Sequence, residues 1–184
     1  MIKTIKKQLD HQHTDLIVMG NKGLTDTADI FFGSNAIQVV NKLNGCPIMA
    51  IPNEMDYTAP KEIAFVTDYT ADRHPKTIAP LLYIASLIKT TIRVMHINKD
   101  QVLNRTQENN SIHLEIFLEA VTQNMCEFDD KAKVVETFLD KMHIDLFAMV
   151  NRKMNLFERM KHEPVIKDVS MYSDVPFLML PDKS

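Results

Sequence analysis

The sequence predicts an α/β fold: an open parallel sheet with helices on both faces, present as one full copy and one partial copy of the same unit. Three observations carry this. Short apolar runs alternate with stretches of helical apolar spacing, the order that lays crossover helices over a parallel sheet. The runs are continuously apolar, as strands buried on both faces are. Two blocks also recur in the same order: Asp15-Leu16-Ile17-Val18-Met19-Gly20-Asn21-Lys22 is matched by Asp145-Leu146-Phe147-Ala148-Met149-Val150-Asn151-Arg152, and Cys46-Pro47-Ile48-Met49-Ala50-Ile51-Pro52 by Val175-Pro176-Phe177-Leu178-Met179-Leu180-Pro181. The offsets, Asp15 to Asp145 and Cys46 to Val175, are 130 and 129 residues. A unit of that length is an ordinary domain.

The second copy reads as complete over residues 55–184. Ile63 to Thr67 is a buried strand ending at Asp68. Pro75 to Lys89 is a helix with Ile78, Leu81, Leu82, Ala85 and Ile88 inward, its proline tolerable in a first turn. Thr91 to Ile97 is β-branched and strand-like. Residues 98–110 are polar and read as a loop, after which Ser111 can cap a helix running to about Asn124. Met125 to Phe128 is a weak strand, Asp130 to Met142 a helix, Leu146 to Val150 a strand, 164–173 a helix, and Phe177 to Leu180 the last strand. The first copy, residues 1–54, holds only the last third of this pattern: helix 2–12, strand 16–19, helix 34–44 and strand 48–51. Its upstream strands have no counterpart, which suggests a piece of a longer tandem or a half unit completed by another chain.

With 21 basic and 24 acidic residues the net charge is −3. That balance argues against nucleic acid as a partner, because neutralising a phosphate backbone needs a basic excess or stripe. The N-terminus lacks the apolar core of a secretory signal, and no apolar run approaches a membrane span, so the expectation is a cytoplasmic protein without a membrane partner. Cys46 and Cys126 flank apolar runs and read as buried thiols.

The chemically informative segment is Gly20-Asn21-Lys22-Gly23, then nine residues, then Gly33-Ser34-Asn35. It follows an apolar strand and precedes a helix carrying Ile37, Val40 and Leu43, where open α/β sheets bind ligands. Glycine lets backbone N–H groups approach an anion without an intervening Cβ. The first-turn amides of the helix and its dipole point at the same place. Ser34 can cap the helix or donate to a phosphate oxygen, and Lys22 can add a charge-assisted hydrogen bond. Asp26 and Asp29 within the loop would repel phosphates unless a divalent cation lay between them.

The spacing Gly-x2-Gly-x9-Gly-Ser-Asn resembles the ATP-binding signature of the universal stress protein family, and Asp15 to Gly20 and Cys46 to Ile48 fit its flanks. The resemblance implies the Rossmann-like sheet of adenine-nucleotide alpha hydrolases, in a tandem arrangement. It further implies that Gly20, Gly23, Gly33, Ser34 and Asn35 contact the triphosphate and ribose of ATP, accompanied by Mg or Mn. The adenine side would come from the first two strands of a unit, including an aspartate after the first. Asp68 matches that aspartate but belongs to the second copy. There the positions of Gly20 and Gly23 are Val150 and Lys153, and no glycine remains between Asp145 and Pro181. The family pairing also implies dimer-like self-association through the final strands, Ile48–Ile51 and Phe177–Leu180.

Three functions follow: a nucleotide-binding stress-response regulator needing no chemistry, an interaction module without ligand, and a slow ATP hydrolase. The last is the weakest, because no Ser-His-Asp or paired-carboxylate set can be picked out. His11 and His13 read as a polar helix end rather than a metal site, and Cys126 as a structural thiol rather than a nucleophile. The basic segment 151–162 reads as an amphipathic helix covering the sheet.

Overall fold

The computed structural model describes residues 1–23, 32–43, 45–53, 55–56, 58–69, 75–96, 103–119, 143–151 and 175–183. The expected strand 125–128, the helices 130–142 and 164–173, the segment from Arg152 to His162, Asp26, Asp29, Cys126 and Lys153 lie outside them.

In chain order the elements are α1 (Ile2–His11), β1 (Ile17–Gly20), α2 (Ser34–Lys42), β2 (Ile48–Ile51), β3 (Glu62–Thr67), α3 (Pro75–Ile88), β4 (Thr91–His96), α4 (Arg105–Glu119), β5 (Leu146–Asn151) and β6 (Phe177–Pro181). The strands and the first three helices fall within a residue or two of their expected bounds. α4 does not. It begins at Arg105, inside the expected loop, and its cap is Asn104 rather than Ser111. Asn104 Oδ1 accepts the amides of Thr106 and Gln107 at 3.0 Å, and Gln107 Oε1 accepts the Asn104 amide at 3.0 Å. This reciprocal capping box satisfies donors that a bare helix start leaves orphaned. Ser111 instead sits within the helix, its hydroxyl donating to the Glu108 carbonyl at 2.8 Å. α3 ends on Lys89 with φ 53°, and the Thr90 amide reaches back to the Ala85 carbonyl at 3.1 Å, a left-handed stop usually given to glycine.

The six described strands form one sheet in the order β1-β2-β6-β5-β3-β4. All neighbours are parallel except β2 and β6, which run antiparallel. The sheet is therefore mostly parallel, with a single reversal where the two repeat blocks meet. The register keeps the sequence repeat: Ile17 pairs with Ile48 as Phe147 pairs with Phe177, and Gly20 with Ile51 as Val150 with Leu180. The junction pairs Ile48 with Met179, Met49 with Leu178 and Ala50 with Phe177. A local twofold through the Met49–Leu178 rung exchanges these rungs, the form of a self-complementary contact. The pairing expected of the final strands thus occurs within one chain. With β1 beside β2 and β5 beside β6, β2 and β6 each have a neighbour on both sides.

Alternate strand residues feed two cores. Ala64, Val66, Phe147, Met149, Ile48, Ala50, Phe177 and Met179 meet α2 (Ala36, Val39, Val40) and the partly buried Ile2, Ile5 and Leu9 of α1. Ile63, Phe65, Leu146, Ala148, Val150, Leu178 and Leu180 meet α3 (Ile78, Leu81, Ala85) and α4 (Leu114, Leu118) on the other face. Each fully buried aliphatic or aromatic side chain here contributes roughly 1.5–3 kcal/mol. No described helix is long and apolar enough to cross a membrane.

Candidate functional site

The glycine segment leaves the carboxyl end of β1. Gly20 is the last strand residue, and the Asn21 amide extends the ladder by one bond to the Ile51 carbonyl at 2.8 Å. The Asn21 carbonyl then accepts the Gly33 amide at 2.8 Å. That single bond brings Gly20–Gly23 and Gly33–Asn35 together at one rim of the sheet. α2 starts there: Gly33 is its N-cap with φ −65° and ψ 159°, and the Ile37 amide donates back to the Gly33 carbonyl at 3.0 Å. Its N-cap residue, a glycine, has no side chain to cap the helix start. The amides of its first turn, beginning at Ser34 and Asn35, have no partner inside the helix by its geometry.

Gly33 is buried, Ser34 and Asn35 are exposed, Lys22 is half-buried, and Gly20 and Gly23 are exposed. No described glycine has a positive φ. A Cβ on Gly20 would meet Asn53 Oδ1 and the Lys22 carbonyl oxygen at 3.5 Å, ordinary contacts. Glycine is therefore not demanded at position 20 by a sharp turn; its effect is to leave the rim bare. Two loop amides, those of Asn21 and Gly33, are spent on the backbone and cannot serve an anion directly.

Asn21 is the residue that sequence reasoning passed over. The residue is 1% exposed, and its Oδ1 is buried without a hydrogen-bond partner among the described residues. Its counterpart Asn151, at the end of β5, is also buried and donates through Nδ2 to the Val40 carbonyl near the end of α2 at 2.7 Å. The recurrence of asparagine in both repeat blocks was the available signal. Val150, at the position of Gly20, is 4% exposed and packs in the core, so the second block presents a side chain where the first presents bare backbone.

Asp68 follows β3, half-buried. Its carbonyl accepts Gln107 Nε2 at 2.9 Å. The next residue, Tyr69, is buried in the left-handed region at φ 57° and is held at both ends. Its amide donates to Thr67 Oγ1 at 2.9 Å and its carbonyl accepts Asn110 Nδ2 at 2.6 Å. Because β2 and β6 are antiparallel, β3 and β1 point in opposite directions. Asp68 and Gly20 therefore lie on opposite rims and cannot share one ligand.

On the rim opposite the glycine segment, an open groove of about 530 Å³ is lined by Lys6, Asp10, His13, Lys42, Gly45 and Cys46 among others. The Cys46 thiol donates to the Thr14 carbonyl at 3.3 Å, and burial, then the charge of Asp15, push it above its usual pKa. A thiol held protonated is a poor nucleophile. Among the described residues no cluster of three or more His, Cys, Asp or Glu could hold a metal ion.

No protein-family model matches the sequence, and no curated protein matches it. The fold has relatives among solved structures. A universal stress protein from Archaeoglobus fulgidus DSM 4304 superposes with TM-score 0.67 at 14% identity, over 98% of this chain and 64% of that one. A functionally unknown protein from Pseudomonas aeruginosa PAO1 superposes with TM-score 0.62 at 15% identity, over 99% of this chain and 68% of its own. The chain has the fold of universal stress proteins and spans about two thirds of the length of these two.

Proposed function

We propose that this chain is a nucleotide-binding regulator of the universal stress type, made of two family units, that receives the phosphates of ATP, with Mg or Mn, on the rim at Gly20–Gly23 and Gly33–Asn35. The observation that supports this reading is the Gly33 amide on the Asn21 carbonyl, which sets a helix start with glycine at its N-cap beside the end of a parallel strand. Such a start favours an anion by both its dipole and its orphan amides. Ser34 and Lys22, in the same two stretches, would add a hydroxyl and a cation to them. No chemistry is required: a ligand regulates by binding one conformation or assembly better than another. With Asp68 on the opposite rim, these residues make the phosphate half of a site, so binding by this chain is weak.

Titration of Mg·ATP at millimolar concentration tests the reading. At ligand ten times the Kd, stabilisation is about 1.4 kcal/mol, or roughly 3–6 °C in Tm for a chain of this size. Ser34→Asp, which places a carboxylate at the helix start, should abolish the shift while leaving the unliganded Tm within about 2 °C. An unshifted Tm and no saturable heat at millimolar ATP would overturn the proposal. They would favour an interaction module without ligand, a reading supported by one observation: the Asn21 and Gly33 amides are already taken by backbone carbonyls.

A further inference from the structure

α3 is apolar around nearly its whole circumference. Of its 14 residues only Lys76 is charged, and Thr77, Ile78, Leu81 and Ala85 form the buried side. The opposite side carries Ala79, Tyr83 and Leu87 one turn apart, all exposed, with Ile84 and Ile88 half-buried along one flank. α4 repeats the pattern: Leu114 and Leu118 are buried, and Glu108, Ile112 and Ile116 are exposed one turn apart. Of the six large hydrophobic residues exposed among the described residues, four lie here: Tyr83 at 64%, Leu87 at 62%, Ile112 at 52% and Ile116 at 60%. A surface helix keeps its apolar residues in one stripe toward the core, and a helix apolar all round is normally a covered one. Single exposed apolar residues need no explanation, but a clustered set marks an interaction site.

The two helices lie side by side. Both pack on the face formed by Ile63 and Phe65 of β3 and Ile92 and Val94 of β4, which are parallel neighbours. Gln107 and Asn110 bond the first turns of α4 to the carbonyls of Asp68 and Tyr69, at the end of β3 from which the chain proceeds to α3. Both helices therefore start at the same rim and run in the same direction. Tyr83 and Leu87 are eight and twelve residues along α3, and Ile112 and Ile116 are seven and eleven along α4. The four apolar side chains thus stand at matching heights. Two helices about 21 Å long and about 10 Å wide present a face of about 20 by 20 Å. That is the footprint of a small interface, as in a weak dimer.

We propose that this face is a homodimer interface: a second copy of the chain covers it about a twofold axis parallel to the helices, so that α3 of each protomer lies on α4 of the other. Such an axis preserves height along the helices, so Tyr83 meets the partner's Ile112 and Leu87 meets the partner's Ile116. The contact is self-complementary, as a twofold interface must be. Charge selects this pairing over like helix on like helix. The charges at the two ends of α3 are both cations, Lys76 and Lys89, whereas α4 exposes Glu108 and Glu115 as well as Arg105. Setting α3 on the partner's α4 brings acids to those cations. The Ser86 hydroxyl, also exposed, is already spent on the Tyr83 carbonyl at 2.8 Å, so covering the face does not strand it. Neither the glycine rim nor a nucleotide takes part.

Sedimentation of the full chain without nucleotide, from micromolar to near-millimolar concentration, tests the proposal. The expected result is a concentration-dependent dimer. Leu87→Glu and Ile116→Lys should each weaken it about tenfold or more, with far-UV circular dichroism unchanged because both side chains are exposed. An equimolar mixture of the two variants should dimerise about as well as the unmodified chain, because one contact then pairs the two introduced charges and the other keeps leucine on isoleucine. Tyr83→Ser and Ile112→Ser, which introduce no charge, cover the case in which a charged variant misfolds; each should weaken the dimer by less. A chain that stays monomeric throughout would overturn the proposal and leave the face to a different protein. A dimer indifferent to all four substitutions would place the interface elsewhere and overturn it as well. So would a mixture as weak as either charged variant alone, since α3 would then not lie on the partner's α4.

Discussion

β1 and β5 carry matching sequences and pair with their following strands in matching register, yet β5 is buried at all six positions and β1 at none. Their apolar content is not what differs. Among the described residues, β5 lies between two strands with helices over both faces, whereas β1 has one neighbour and helices over one face. β2 and β6 repeat the contrast more mildly: β6 is buried throughout, and β2 alternates between buried and half-buried. A continuously apolar strand states what its sequence can bury, and the neighbours decide what is buried.

The largest test of this contrast compares equivalent core positions. Phe147 is fully buried and stacks on Phe177 with ring centroids 5.8 Å apart. Phe147→Ala should cost about 3–5 kcal/mol, by lost transfer energy and the cavity left behind. Ile17, its counterpart in β1, is only partly buried, so Ile17→Ala should cost about 1–2 kcal/mol. Urea midpoints at constant slope measure both. Equal losses would mean that β1 is covered as well as β5 is, and the comparison would fail.

A smaller effect is expected at the paired aspartates. Asp145→Ala removes an acceptor shared by the Lys61 and Glu62 amides, worth about 1–3 kcal/mol with the lower half expected at this half-exposed position. Asp15→Ala removes an exposed carboxylate near His13 and should stay within about 0.5 kcal/mol. The same denaturation series reads both. A comparable cost at Asp15 would show that it already holds a strand.

Much of this molecule was legible before its structure. The strands could be read because each is a compact apolar run, and the repeat could be read because Asp15 to Lys22 and Asp145 to Arg152 differ mostly by one apolar residue for another. That Gly20–Gly23 and Gly33–Asn35 meet followed from the strand–loop–helix order. The role of Asn21 did not, because it acts through its backbone carbonyl on Gly33, and no side-chain pattern reports that. The antiparallel junction is also a long-range choice: Ile48–Ile51 carries no local mark of the direction its neighbour runs. Only the family resemblance pointed to a pairing of final strands, and it did not fix whether that pairing lay within one chain or between two.

The start of α4 was missed for a different reason, and it supplies the smallest of the tests. Periodicity reading looks for apolar residues on the inward face, but the first two turns of α4 turn Gln107 and Asn110 inward, buried and bonded to the carbonyls of Asp68 and Tyr69. A polar stretch that looks like a loop is here a helix whose inner face recognises backbone. It contrasts with α2, whose N-cap residue is Gly33. Asn104→Ala should therefore destabilise the protein by about 1 kcal/mol, seen as a lower urea midpoint. Ser111→Ala removes a hydroxyl bonded within the helix and should change stability by no more than about 0.5 kcal/mol. A larger loss at Ser111 than at Asn104 would restore the later helix start. It would also remove the contrast between a helix start closed by side chains at α4 and one with glycine at its N-cap at α2.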